Sequence, residues 1–381
     1  MGGPAVTQTS TQTPLPAGAE QSGGGTPRRR LNLTRQTWLA LTSAIWFVAL
    51  ALLIAVVPVP YVVYSKGRAY DVLGNGSDGR PMIVVDGIQT YPTSGQLRMT
   101  TVSVTRADAA TSLPEAVLAY WLPRRDALPR DSVYERGKST EQVRSEERQM
   151  MDTSQQDAVV AALRAANQPV TEMPVVSSVT VSGPANERLQ PGDLFLSVDG
   201  TAVNNPEEVR RMVQRHTPGD VVKLLVLRNR VETRVDVITT PSRRDPKNPV
   251  LGVEVATGYR YAPMVNFGVS SDIGGPSAGL VFALGLYDRI TPTDLLAGRS
   301  VAGTGTINPS GAIGAIGGIQ EKIAGAEEAG AQIFIVPGAN CRDLAGLDTD
   351  LNLIRANTLN EAIDGLRLAG NPATAAQVPR C

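Results

Sequence analysis

Thirty consecutive positions, 36–65, carry no charged side chain, from Gln36 through Trp38, Trp46 and Phe47 to Tyr61, Tyr64 and Ser65. About 20 apolar residues cross a bilayer as a helix, so this run predicts a transmembrane helix over 36–64. Arg28, Arg29, Arg30 and Arg35 precede it, and Lys66 and Arg68 follow. The positive-inside tendency then sets the N-terminus in the cytoplasm and everything after residue 65 outside, as a single-pass protein of the cell membrane. A cleaved signal peptide is the other reading, but the run is longer than an ordinary signal h-region and the basic stretch begins only at Arg28.

Residues 1–27 are rich in Thr, Gln, Gly, Pro and Ser and almost free of large apolar side chains, so they bury too little to offset the entropy of ordering. We expect a disordered cytoplasmic tail over 1–35. Lysine plus arginine and aspartate plus glutamate both count 36, which leaves no strong field for nucleic acid. His216 is the one histidine, so a His-Glu-x-x-His zinc site is excluded and no metal is expected. It lies in a His-Thr-Pro-Gly-Asp turn and reads as structural. No Gly-x-x-x-x-Gly-Lys-Ser/Thr loop occurs, and Gly311–Gly317 does not fit the dinucleotide-loop spacing, so neither a nucleotide nor another cofactor is expected.

Beyond the apolar run, Met82–Val85 and Leu97–Val104 read as strands, and Leu113, Val117 and Leu118 as a helix. The charged stretch from Pro123 to Met151 reads as a solvated excursion, and Ser154–Ala166 as a helix with Val159, Val160 and Leu163 on one face. In 173–241, Val175, Val176, Val179 and Val181 form a strand. The phrase Leu189-Gln190-Pro191-Gly192-Asp193-Leu194-Phe195-Leu196-Ser197-Val198-Asp199-Gly200 gives a turn, a buried strand and a tight turn. A helix over Pro206–Arg215 and a strand over Val221–Leu227 complete a compact module. It resembles a PDZ domain of bacterial envelope proteases, which implies that a peptide adds to a sheet edge as an extra strand. The resemblance places that groove at Pro174, Val175 and Val176, where the usual glycine of the carboxylate loop is missing. A spacer or packing role is the other reading of this module.

Two segments carry the chemistry. Gly274-Gly275-Pro276-Ser277-Ala278-Gly279 leads into an apolar helix pattern, and Gly317-Gly318-Ile319-Gln320-Glu321-Lys322 opens another. A serine at a helix start sits beside free backbone N–H groups. A lysine buried on a first helical turn can lose its proton and act as a base. Taken singly, Ser277 could merely cap its helix and Lys322 could be a surface lysine. Together the segments resemble the Ser-Lys dyad of the Lon protease family, and the resemblance continues through Phe334-Ile335-Val336-Pro337 and Thr358-Leu359-Asn360-Glu361-Ala362. It implies an α+β fold: a Lon-type proteolytic domain over 245–370 with a PDZ module of β-sandwich or barrel character. The tail 371–381 would close onto the domain through a disulfide between Cys341 and Cys381, or those cysteines are unrelated thiols.

By the same resemblance Ser277 is the nucleophile, Lys322 the base, and Thr304, in Gly303-Thr304-Gly305, hydrogen-bonds within the dyad. Pro276, Ala278 and Gly279 form the oxyanion-binding helix start. Many Lon members have an aspartate where Gly274 stands. The early strand and helix of such domains correspond to 95–100 and 154–166, which makes 65–170 the first part of the protease domain and 173–241 an insertion. The activity implied is a membrane-anchored, ATP-independent serine endopeptidase of bacterial envelopes. It would act on unfolded or flexible proteins, with a homo-oligomeric ring as a further possibility of the family. The reading from another class is a noncatalytic, peptide-binding membrane scaffold.

Overall fold

The computed structural model describes residues 34–76 and 79–381, so the tail expected over 1–35 lies outside the described residues up to residue 33. The chain falls into two units divided between Ile54 and Ala55. Helix α1 (Arg35–Val56), all but its last two residues in the first unit, is long and apolar enough to cross a membrane, and it lies near the N-terminus, as a signal sequence also would. It ends at Val56 rather than at residue 64. Pro58 and Pro60 cannot continue a helix, and Tyr61–Tyr64 are already strand.

In chain order the second unit opens with β1 (Pro58–Val59), β2 (Tyr61–Asp71), β3 (Ile83–Asp86), β4 (Gln96–Val104) and β5 (Thr111–Ser112). Then come α2 (Leu113–Trp121), β6 (Asp126–Pro129) and α3 (Thr140–Ala165). The stretch 123–151 is solvated as expected, with no buried residue before Met151, but it is regular rather than an excursion: it supplies a strand and the first half of a 26-residue helix. That half has no apolar stripe to betray it. It is started by a capping box in which the Ser139 side chain accepts from the Gln142 N–H and the Gln142 side chain accepts from the Ser139 N–H. The buried positions of α3, apart from Met151, run from Ser154 to Leu163.

The next body contains β7 (Thr171–Val179), β8 (Leu194–Val198), α4 (Pro206–Val213), β9 (Val221–Arg228), β10 (Val231–Ile238) and β11 (Val253–Arg260). Its sheet runs β10-β9-β8-β7-β11 over a core that includes Phe195, Val198, Val209, Val226, Val237 and Leu251. The Pro191-Gly192-Asp193 turn is pinned from inside, because the buried Asp193 carboxylate accepts two hydrogen bonds from Arg228 and one from the Gln190 N–H. Two expectations are corrected here. Strand β7 is interior: Val175 faces Leu194 of β8 on one side and Ala256 of β11 on the other, so Pro174–Val176 offer no edge for an added strand. The module also extends beyond residue 241, because β11 pairs with β7 along its whole length and Leu251 belongs to this core.

The remainder comprises β12 (Met264–Phe267), α5 (Gly279–Ile290), β13 (Ser300–Gly303), α6 (Ile319–Glu328), β14 (Ile333–Pro337), β15 (Asn352–Ala356) and α7 (Leu359–Ala369). The main sheet has the order β15-β14-β13-β4-β2-β6, parallel from β15 to β4 and antiparallel from β4 to β6. Strands from 61–129 thus share one sheet with strands from 300–356. Helices α3, α5 and α7 bury one apolar cluster together with Leu97, Met99 and Ile335. Helix α6 heads a second cluster, with Ile319 and Ile323 against Phe334 and Val336. Alternate residues of β14 enter the two clusters, as the period of a strand requires. Every residue of α5 except Arg289 is buried, which makes it the central helix of the body. Cys341 and Cys381 are disulfide-bonded, and the Arg355 N–H donates to Pro379 O, so the C-terminal tail lies along β15.

Candidate active site

Ser277 sits two residues ahead of α5, at the end of a glycine-rich loop, while Lys322 lies on the first turn of α6. Gly318 starts α6 in the left-handed conformation, φ 69°. A side chain there would begin 2.7 Å from Val102 Cγ1 of β4, so only glycine lets α6 open this close to the sheet. The Lys322 ammonium nitrogen, Nζ, reaches Ser277 Oγ at 2.7 Å and Thr304 Oγ1 at 2.8 Å.

Thr304 follows β13 directly and is tied back to the serine. Its hydroxyl donates to Ser277 O at 3.0 Å, and the Gly305 N–H donates to the same carbonyl at 2.9 Å. Because Thr304 Oγ1 spends its proton on that carbonyl, it meets Lys322 as an acceptor. Lys322 is 2% exposed and has no carboxylate bonded to it, and burial pushes its pKa down to about 7. Its neighbour Glu321 is equally buried, and neither of its carboxylate oxygens has a hydrogen-bond partner among the described residues. Burial first, and then the charge of Asp126, raise the Glu321 pKa.

Of the three residues expected at the oxyanion position, Pro276 has no N–H to offer, and the Gly279 N–H is directed to Pro276 O at 3.4 Å. The N–H groups of Ser277 and Ala278 have no partner among the described residues. They are the donors left over at the start of α5.

A cleft of about 670 Å³ reaches Ser277 and Lys322, lined also by Tyr64, Val102, Tyr134, Arg144 and Glu147. Sequence reasoning missed Glu147 because it lies in the helical half of α3 that looked like loop. Its backbone carbonyl accepts from the Gly275 N–H at 3.0 Å. A side chain on Gly274 would begin 2.8 Å from Glu147 Cβ and 3.3 Å from its Oε2. The space that an acidic residue at 274 would need is therefore filled from α3. Partial burial raises the Glu147 pKa, opposed by the charge of Arg144. The residues expected at a peptide groove, Pro174, Val175 and Val176, lie in a different body from Ser277, inside its sheet.

Residues 269–366, which include Ser277, Thr304 and Lys322, match the Lon protease (S16) C-terminal proteolytic domain family, and residues 149–239 match the PDZ domain family. The chain is 33% identical over 116 residues to Lon protease 2 of Bacillus subtilis, covering 30% of this chain and 20% of that protein. It is 34% identical over 94 residues to the Lon protease of Xanthomonas oryzae pv. oryzae, covering 24% and 11%. This chain thus spans only a minor part of those proteins' lengths. Among solved structures it is similar to the PDZ domain of an SdrC-like protein from Listeria innocua, with 23% identity, 22% of this chain and 92% of that chain covered, and a TM-score of 0.21. The chain carries a Lon-type proteolytic domain and a PDZ domain in one polypeptide.

Proposed function

We propose that the protein is a membrane-anchored serine endopeptidase that cuts unfolded or flexible polypeptides with a Ser277–Lys322 dyad and without ATP. The observation that carries this is the 2.7 Å contact between Ser277 Oγ and a lysine that burial brings to a pKa of about 7. In the reaction, neutral Lys322 takes the hydroxyl proton while Ser277 Oγ adds to the peptide carbonyl. The N–H groups of Ser277 and Ala278 hold the oxyanion. Protonated Lys322 then passes its proton to the departing amine, and a water activated by the same lysine hydrolyses the acyl-enzyme. Thr304 positions Lys322 by accepting a hydrogen bond from its Nζ–H, and no step requires a metal or nucleotide.

Helix α1 serves as the anchor, with the N-terminus cytoplasmic and the protease body on the outer side. A disulfide between Cys341 and Cys381 fits an oxidising compartment. The PDZ domain recruits or regulates substrates. Its peptide-accepting edge is β11, the unpaired border of the sheet against which α4 packs, in place of Pro174–Val176. Assembly into a homo-oligomeric ring belongs to the same reading.

The test is digestion of a permanently unfolded protein by the purified full chain, with and without ATP, beside Ser277→Ala. Cleavage that is independent of ATP and absent in the variant supports the proposal. Equal cleavage by the variant, or none by the parent chain, leaves the noncatalytic scaffold.

A further inference from the structure

Helix α2 is amphipathic the wrong way round for a helix on a protein surface. It buries only Ala116 and Ala119, while its large side chains face out: Leu118 is 51%, Tyr120 78% and Trp121 75% exposed, with Leu113, Val117 and Leu122 also open. Single exposed apolar residues are ordinary, but a run of them on one short helix marks a contact surface. The helix carries one charged side chain, Glu115, and is followed by Arg124 and Arg125.

Its place in the fold ties it to the start of β1. The apolar helix ends at Val56, and two residues on, Pro58 of β1 is the register partner of Ser112 of β5. Ser112 is also the N-cap of α2, accepting from the Glu115 N–H. Paired antiparallel residues lie about 5 Å apart, and a nine-residue helix is about 13 Å long. The whole of α2 is therefore held within roughly 20 Å of Pro58, where the chain leaves the apolar span. Tyrosine and tryptophan beside each other, with arginine just beyond, suit the boundary between headgroups and acyl chains.

We propose that α2 seats in the lipid interface, with Trp121, Tyr120 and Leu118 in the bilayer surface, so that the protease body is held at the membrane by this helix as well as by its tether. This rests on the anchored reading of α1.

The experiment uses the full chain in phosphatidylcholine vesicles. Trp38→Phe and Trp46→Phe leave Trp121 as the one tryptophan of the three in the chain. Flotation with the vesicles tests the anchor by itself. With flotation, the proposal expects Trp121 emission shifted to shorter wavelength and mostly quenched by lipids brominated near the top of their acyl chains. Adding Leu118→Ser and Tyr120→Ser should return the emission to its solvated wavelength with peptide cleavage unchanged. Solvated, unquenched Trp121 in floating vesicles overturns the seat and leaves the anchor standing. A blue-shifted but unquenched Trp121 overturns it in favour of a second copy of the chain as the occupant. Failure to float removes both the anchor and the seat.

Discussion

Lys322 and Ser277, 45 residues apart in sequence, meet at 2.7 Å, and the lysine makes its other hydrogen bond to Thr304. Both partners are hydroxyls, so the lysine is fixed in position without an anion that would keep it charged.

Ser277→Ala and Lys322→Ala should each abolish peptide cleavage, and the double variant should be no worse, because nucleophile and base act as one unit. The loss for the lysine alone should be at least about 10²–10⁴-fold in kcat, the usual worth of general-base catalysis. Thr304→Ala should be partial, and Thr304→Ser should recover much of the activity. Independent, additive losses for Ser277 and Lys322 in steady-state kinetics would contradict the dyad.

Activity should follow the neutral form of Lys322. Below a pKa of about 7 the lysine is protonated and cannot accept from Ser277, so kcat/KM should rise about tenfold per pH unit and level off above neutrality. A pH–rate profile flat between 5 and 10, with the chemical step rate-limiting, would rule out lysine as base.

The same burial destabilises the fold at neutral pH. Lys322 titrates near 10.5 in the unfolded chain and about 7 when folded. Between those values the unfolded chain binds the extra proton, so stability rises with pH through this window, and the penalty is complete below about 7. It is bounded by about 4–5 kcal/mol, since each pKa unit is worth 1.36 kcal/mol. Lys322→Met should therefore raise the melting temperature at pH 6 and have a much smaller effect at pH 10. The same increment at both pH values would show that the lysine is not desolvated.

Gly274→Ala should force α3 and the serine loop apart, because its new carbon would begin 2.8 Å from Glu147 Cβ. The cost should be about 1–3 kcal/mol, as for other overpacked sites, with a loss in kcat. Gly268→Ala is the control, since nothing lies closer than 3.5 Å to the added carbon. Equal melting temperatures and rates for the two variants would show that the loop yields freely.

Removal of the PDZ module should succeed only at the boundaries of its core. Joining residue 170 to residue 261 removes β7 to β11 together, whereas deletion of 173–241 strands β11 and Leu251 without partners. The first variant should fold and retain peptide cleavage, and the second should aggregate. Solubility and circular dichroism of the two decide it.

Legibility in the sequence followed how local each signal was. Ser277 and Lys322 lie in short glycine-rich phrases with helix patterns behind them, so these positions stood out before any fold was known, while Thr304 came only from the resemblance to Lon proteases. Glu147 did not, because the first half of α3 is charged all round and depends on its capping box and on contacts with the serine loop. The place of β11 at the edge of the PDZ sheet was missed for another reason. Its partner β7 lies about 80 residues earlier, and no pattern within β11 reveals which strand it will join. The end of α1 was readable from Pro58 and Pro60, but a count of uncharged positions overrides such punctuation.

Thr171 and Arg260, the first residue of β7 and the last of β11, are register partners, and the chain enters and leaves the PDZ body through them. Arg164 bonds Glu172 and lies over the ring of Tyr259 at 5.2 Å, while Arg230 donates to the carbonyls of Ala262 and Pro263. A body joined through two adjacent, paired strands cannot spin as it would on one thread. From there β11 leads through β12 into the loop that carries Ser277. The PDZ body and Ser277 are thus joined along one short stretch of chain, from Arg260 to Ser277.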